Sequence, residues 1–461
     1  MAASNTPPAP TTSTAATTAP YSPMRRRLLS SPIIPTSCRN SKPGSCWATE
    51  ENLLTSTPRR TSSPLSWPLA TFVGMQLRKR TLEQHIAVFG QSGSGKTVLV
   101  SSFYGGTQEP QFLDASIFDV TADDAGQGNR LQANYLGLKE ARRPDPTRFQ
   151  SHSYCFTLRL QDVSERSSAG PFDAVRLVWH DYPGEWFEED VSGPTEARDR
   201  VDTFKALLGS DIAFLLVDGQ RLLDHAGEEE RYLKALFGSF RTGLRRLAPE
   251  ILEDGKGIDR FPRIWMLALS KADLLPDLDV FGFRDLVISK AADDLEELRK
   301  VLRGLVSAPD ALSVGEDFIR LSSARFEPNR IEVTERIGLD LILPVASIVP
   351  FERHVRWGEK KLLPGKLGEQ FLGVAAIALT RMLSGKKAGR IGVAVAVAES
   401  FIGRGSVSAA MSAVADIGQE QLRNLNRDAR ARQDYMAEVL TGFRLDLDQA
   451  EKDRVLLRSR R

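Results

Sequence analysis

At 461 residues, 41% hydrophobic and 26% charged, the chain suits a soluble protein of two or three domains and is too long for one small core. Residues 1–80 carry 10 Lys and Arg against 2 Asp and Glu, so the net charge of +2 hides a body with a slight acidic excess, and nucleic acid is not an expected partner. Cys38, Cys46 and Cys155 have no metal-ligand spacing, no apolar leader core stands near the first residue, and no apolar run reaches the ~20 residues of a spanning helix. A reducing, cytoplasmic setting is therefore expected.

In chain order, residues 1–80 are rich in Ser, Thr, Pro and Ala, with 11 of the 25 prolines before position 69. Such a segment buries too little apolar surface to offset its ordering entropy, and a disordered tail is expected. Its Arg- and Ser-rich, acid-poor make-up also fits an organellar transit peptide, while Met75 leaves room for an upstream start. From 81 to 345 short aliphatic runs alternate with helix-period segments. The pattern predicts strands at His85–Phe89, Tyr154–Gln161, Ala174–His180, Ile212–Val217, Arg263–Leu269 and Phe318–Leu321. Helices are predicted at Lys96–Phe103, Thr195–Leu208, Gly227–Leu247 and Val280–Leu305. This is the pattern of an open α/β sheet, mostly parallel, with helices on both faces. The short polar link Asp162–Phe172 predicts a hairpin and one antiparallel edge strand. The stretch between Lys96 and that hairpin exceeds the usual ~12–15-residue loop, so an added helix or a lid is expected there.

Residues 346–461 read as a helical region. Gly368–Leu383 and Gly389–Ile402 are apolar and rich in small residues, joined by the basic turn Ser384–Arg390. A charged helix is predicted from about Ile417 to Phe443, with a stripe of Leu422, Leu425, Ala429, Met436, Val439, Leu440 and Phe443. The charged end, Arg458-Ser459-Arg460-Arg461, is expected to fray.

Four motifs carry chemistry. Gly90-Gln91-Ser92-Gly93-Ser94-Gly95-Lys96-Thr97 matches G-x-x-x-x-G-K-[ST] in full, after a strand and before a helix. The glycines let successive backbone N–H groups face phosphate oxygens, and the helix adds its positive end. Lys96 would reach the β- and γ-phosphates, and the Thr97 hydroxyl would ligate Mg²⁺. Asp181 stands 85 residues after Lys96 at a strand's end, where it could hold a magnesium-bound water; Gly184, three residues on, offers a bare N–H to the γ-phosphate. In Ser270-Lys271-Ala272-Asp273, the Asp273 carboxylate can accept from both N1 and N2 of guanine, a donor pair that adenine lacks, while the Lys271 stem packs along the base. Ser270 replaces the usual Asn or Thr, so a more loosely held loop is expected. Leu321-Ser322-Ser323-Ala324 follows the last strand and resembles the place where Ras-like proteins put a Ser-Ala backbone contact to the guanine oxygen, which would fall on Ser323 and Ala324. Each motif also has a plainer reading: a glycine turn, a common Asp-x-x-Gly, an ordinary helix cap at Ser270 or Asp273.

Over roughly 84–345 these residues resemble the TRAFAC clade of P-loop GTPases. Asp181-Tyr182-Pro183-Gly184-Glu185-Trp186 looks more specifically like the bacterial YcjX-like and double-GTPase branch. The resemblance implies a Ras-like fold, GTP or GDP with Mg²⁺ as ligands, and a nucleotide-operated switch. It implies a switch I threonine before the hairpin, for which Thr147 is the first choice and Thr121 the second. Glu185 stands where Ras-type enzymes place a water-orienting Gln, so intrinsic hydrolysis is expected to be slow. It is either a catalytic residue that accepts a proton from the attacking water or an exposed switch acid. Arg142 or Arg143 is either a cis arginine finger or surface charge, and His180 is a structural residue rather than a base. Protein partners or an activator are expected at the switch regions and the C-terminal helices. Those helices either pack as a hairpin on the domain or make peripheral membrane contact, helped by Lys386, Lys387 and Arg390.

Overall fold

The computed structural model describes residues 81–142, 152–160, 174–184, 193–252, 255–259, 263–327, 330–360, 362, 418–431 and 435–460. The tail 1–80, Arg143, Thr147, Glu185 and the two apolar segments at 368–383 and 389–402 lie outside the described residues.

The chain enters its sheet at β1 (Thr81–Phe89) and turns through the glycine-rich loop into α1 (Lys96–Thr107). The long connection that follows holds α2 (Pro110–Ala115), β2 (Phe118–Ala122) and α3 (Ala125–Lys139). Here lies the helix expected from loop length; Asp124 caps it by accepting from Gln127 N at 2.8 Å. Next come β3 (His152–Leu160), β4 (Ala174–Asp181) and α4 (Pro194–Leu208). They are followed by β5 (Ile212–Asp218), α5 (Gly219–Asp224) and α6 (Glu229–Ile251). β6 (Ile264–Ser270), α7 (Val280–Leu305) and β7 (Ser313–Arg320) continue the alternation. A ribbon of β8 (Arg325–Glu327) and β9 (Arg330–Glu332) precedes α8 (Ile342–Glu359), and α9 (Gln419–Ala431), α10 (Tyr435–Lys452) and β10 (Leu456–Leu457) come last.

Eight strands form one sheet in the order β10-β7-β6-β5-β1-β4-β3-β2. β1 is parallel to β4 and β5, β5 to β6, and β6 to β7; β3 is antiparallel to β4 and to β2, and β10 to β7. The mostly parallel α/β fold is thus present. The antiparallel strand β3 sits one place in from the edge, because β2, which the sequence pattern did not reveal, pairs outside it. Central β5 and β6 are buried at every residue, which is why they read as unbroken apolar runs.

Alternation along β1 divides the core between the two faces. Ile86 and Val88 pack with Val100 and Phe103 of α1, Val349 of α8 and Phe443 of α10. Ala87 and Phe89 pack with Phe204, Phe237, Phe240 and Phe283 from α4, α6 and α7. Phe89 stacks on Trp265, ring centroids 5.1 Å apart.

The end of the chain differs from expectation in two ways. The predicted helix from Ile417 to Phe443 is two helices, α9 and α10, joined by Asn426 Nδ2 donating to Glu438 O and Thr441 Oγ1, both at 2.8 Å. Nor does the basic terminus fray through Arg460. Leu456–Leu457 add an edge strand, and Arg458 lies among Asp448 at 2.7 Å, Glu451 at 2.9 Å and Glu352 at 3.4 Å. Ser459 N donates at 2.8 Å to Asp317, whose fully buried carboxylate also takes Arg353 Nη2 at 2.7 and 3.0 Å. Charged side chains here find enough opposite charge and backbone to be held rather than solvated.

Candidate functional site

Because β1, β4, β5, β6 and β7 are mutually parallel, their carboxyl ends share one edge of the sheet, and every motif emerges there. From β1 comes the loop Gly90–Thr97. Gly93 and Gly95 take φ of +78° and +91°, a region open to glycine at little cost, and this curls the loop into α1. Lys96, 9% exposed, donates from Nζ to Gly90 O at 2.8 Å and Gln91 O at 3.1 Å. Its ammonium therefore lies within the curl of the loop. Thr97 follows in the first turn of α1, half-buried.

From β4 comes Asp181, 6% exposed and paired in register with Val88, the residue before the last of β1. The strand pairing alone brings this carboxylate beside the phosphate-type loop. Gly184 approaches that loop still more closely. A Cβ placed on it would lie 2.4 Å from Ser92 N, 2.5 Å from the Gln91 carbonyl carbon and 2.7 Å from Gly90 O. Any residue but glycine would collide with backbone there. Burial, then the negative charge of Asp181, pushes the nearby Tyr154 phenol up; burial, then Arg130, pushes down His152, the partner of Asp181 in the strand register.

From β6 comes the third loop. Ser270 is buried, its hydroxyl donating to Val217 O at 3.4 Å. Lys271 adopts φ of +53°, and its Nζ donates to Asp218 Oδ2 at 2.8 Å. Asp273 has Ser322 Oγ 2.5 Å from Oδ1, and Phe326 N donates to Oδ2 at 3.1 Å. A carboxylate offers about four lone-pair positions, so acceptor capacity remains for two further donors. Ser323 and Ala324 stand beside it, both buried, with Ala272 N donating to Leu321 O at 3.1 Å to join the two loops.

Three side chains of this edge have no role assigned from sequence: Asp218 and Arg221 lie outside every motif, and Ser322 stands inside the last one. Asp218, at the end of β5, accepts from Lys271 and, at 2.9 Å, from Gln220 N. Ser322, not Ser323, puts its hydroxyl on Asp273. Arg221 of α5 reaches back to the glycine-rich loop, donating to Gln91 Oε1 at 2.8 Å and Ser92 O at 3.2 Å. Their signal is spatial: strand β5 lies between the first and third loops in the sheet but has no recognisable spacing to either. The alternative switch threonine, Thr121, lies on edge strand β2 and donates to Thr157 O at 3.3 Å, with β3 and β4 between it and β1. His180 is buried, its Nδ1 2.8 Å from Ser153 Oγ and its Nε2 3.1 Å from His85 Nδ1, which occupies both ring nitrogens.

A phosphate-type loop, a carboxylate–glycine strand end and a Lys-x-Asp loop on one edge of a mostly parallel sheet are the arrangement that P-loop GTPases share. The likeness to the double-GTPase branch is shown: the model of the Double-GTPase 2 family matches residues 84–310, from within β1 to the turn before β7. No curated protein matches the chain. Among solved structures, one reported under "An oligomerised bacterial dynamin pair provides a mechanism for the long-range sensing and tethering of membranes" is 12% identical with a TM-score of 0.24; the match covers 80% of this chain and 58% of that one.

Proposed function

We propose that this protein binds guanine nucleotide with Mg²⁺ and hydrolyses GTP slowly, as a conformational switch. The observation that carries the reading is Gly184. A loop that follows the metal-side carboxylate Asp181 touches the backbone of the phosphate-type loop so closely that a single methyl cannot enter, and such contact lets a terminal phosphate be sensed by both loops at once. Gly90, Gln91, Ser92, Gly93, Ser94 and Gly95 would present amides to the phosphates, with Lys96 as their counter-charge. Lys271 and Asp273, with Ser270, Ser323 and Ala324 behind them, would select guanine.

The donors present fit magnesium. Thr97, in the first turn of α1, and Asp181, at the end of β4, are hard oxygen donors, and Mg²⁺ takes few protein ligands beside substrate phosphates and water. Among the described residues there is no group of three or more His, Cys, Asp or Glu that could hold a metal by itself. The ion, when bound, would neutralise charge on the phosphate oxygens. Thr147 would complete that side from switch I, and Glu185 would face the attacking water in place of Gln.

Glu185 also favours a second reading, a GTP- or GDP-holding scaffold with negligible turnover, since a carboxylate beside the terminal phosphate is repelled by it. Single-turnover phosphate release decides: a slow but Lys96-dependent release is expected, and no release above the Lys96→Ala background leaves the scaffold. In either case the output is proposed to run to protein partners or an activator through the switch loops and the C-terminal helices. Peripheral membrane contact by 368–402 in a cytoplasmic setting is part of the proposal; among the described residues no helix is long and apolar enough to cross a membrane. Liposome flotation that is identical with a GTP analogue and with GDP would remove the membrane arm.

A further inference from the structure

Arg221 is a half-buried guanidinium with an unusual set of partners. Both are neutral atoms of the phosphate-type loop, Gln91 Oε1 at 2.8 Å and Ser92 O at 3.2 Å. Among the described residues it forms no ion pair. Its position is built rather than incidental. Two residues earlier Gly219 packs so tightly on the guanine-side loop that a Cβ would lie 2.8 Å from both Ser270 O and Lys271 O. Asp218, one residue before that, holds Lys271 at 2.8 Å. The four-residue stretch from Asp218 to Arg221 therefore clamps the Lys-x-Asp loop with one end and the glycine-rich loop with the other.

The part of the glycine-rich loop that Arg221 holds is also the part that Gly184 touches, at Ser92 N and Gln91 C. We propose that Arg221 is a positioning residue that holds the Gln91–Ser92 turn against the terminal phosphate and so sets the preference for a triphosphate over a diphosphate. A guanidinium bound to the Ser92 carbonyl fixes the orientation of that peptide and hence of the amide on its other side. The positive charge of the guanidinium also favours the more negative ligand. The inference rests on the guanine-nucleotide reading of this sheet edge and adds to it a residue that no motif contains.

The test uses the full chain, Mg²⁺, and fluorescent forms of GDP and a non-hydrolysable GTP analogue. Arg221→Ala is expected to weaken the analogue by at least about tenfold while GDP changes by no more than about threefold. Arg221→Lys keeps the charge but loses the fork, and should recover part of the loss. Gln91→Ala should shift the same ratio less, and add nothing in the Arg221→Ala background. Should Arg221→Ala not fold, as judged by thermal melting, Arg221→Lys and Gln91→Ala carry the same comparison. An equal effect on both nucleotides, or none on either, overturns the proposal. Failure of the underlying reading looks different: the unmodified chain would bind neither nucleotide, or Lys96→Ala would bind both as well as it does, and the proposal would fall with it.

Discussion

Replacing Gly184 by Ala puts one methyl into a gap too small to hold it. Its carbon would stand 2.4 Å from Ser92 N, 2.5 Å from Gln91 C and 2.7 Å from Gly90 O, whereas carbon reaches favourable contact only at ~3.5–4 Å. All three neighbours are backbone of a loop already committed to positive φ at Gly93 and Gly95, so the switch side must withdraw, by roughly 1 Å. An amide donating to a terminal phosphate at ~2.9 Å would then stand near ~3.9 Å, outside hydrogen-bond geometry. A bond to a charged acceptor is worth ~1.5–3 kcal/mol, which converts to roughly 10- to 100-fold in dissociation constant. GDP has no such phosphate and should bind within about threefold of the unmodified protein. Titration of the purified Gly184→Ala chain with a fluorescent GTP analogue and with GDP reads both numbers, and its melting temperature checks that the fold survives. Equal affinities of variant and parent for the analogue would refute the switch assignment; a matched loss for both nucleotides would reduce Gly184 to a packing residue of the loop.

Asp273→Asn exchanges an acceptor for a donor and should move selectivity from GTP toward xanthosine triphosphate, which competition binding measures; undiminished GTP preference would show that the guanine contact lies elsewhere. Arg353→Met strands the fully buried Asp317 carboxylate and should cost ~3–5 kcal/mol in urea unfolding, with Asp317→Leu added to it recovering much of the loss. His354 is 5% exposed, and burial, then the charge of Arg263, holds its imidazole down at about 3. In the unfolded chain it titrates near ~6.5, so its stability is whole above that pH and is lost as pH falls from there toward the folded value. By pH 5 the loss is about 2 kcal/mol, and His354→Gln should unfold with a correspondingly shallower slope between neutral pH and pH 5. Parallel slopes for the two proteins would contradict this account.

The central sheet was legible because central parallel strands are buried on both faces and read as unbroken apolar runs, as in Ile212–Val217 and Trp265–Leu269. Helix α7 was legible to the residue: Asp279 caps it by accepting from Gly282 N at 2.8 Å, and its buried residues recur at helical spacing. Strand β2 was not, since of its five residues only Val120 is buried and the rest carry no alternation. Nor was β10, two leucines in a charged terminus whose pairing depends on where β7 ends its own edge. The same division holds for the site. Motif residues are readable from spacing because a loop proposed to cradle one ligand uses consecutive positions. Asp218 and Arg221 reach across strands and nothing local marks them, while Ser322 stands in a motif whose spacing does not single it out. Thr147 and Glu185 rest on sequence alone.

Ser270 shows how that hidden layer changes a conclusion. With Asn absent, a loosely held guanine-side loop was the expectation. The hydroxyl does little by itself, reaching Val217 O at 3.4 Å. Yet the loop is held from both neighbouring strands. On the β5 side Asp218 fixes Lys271, and Gly219 leaves no room above the Ser270 and Lys271 carbonyls. On the β7 side Ser322 and the Phe326 amide fix Asp273, while Arg320 Nη2 lies 3.4 Å from Ala272 O and 3.3 Å from Leu275 O. Arg320 is itself tied to the end of the chain, its amide donating to Val455 O at 2.9 Å. The rigidity that a single Asn supplies elsewhere is here distributed over β5, β7 and the strand that closes on β7. A loop braced in that way moves when its neighbours move, which gives the C-terminal elements a physical route to the residues proposed to select the base.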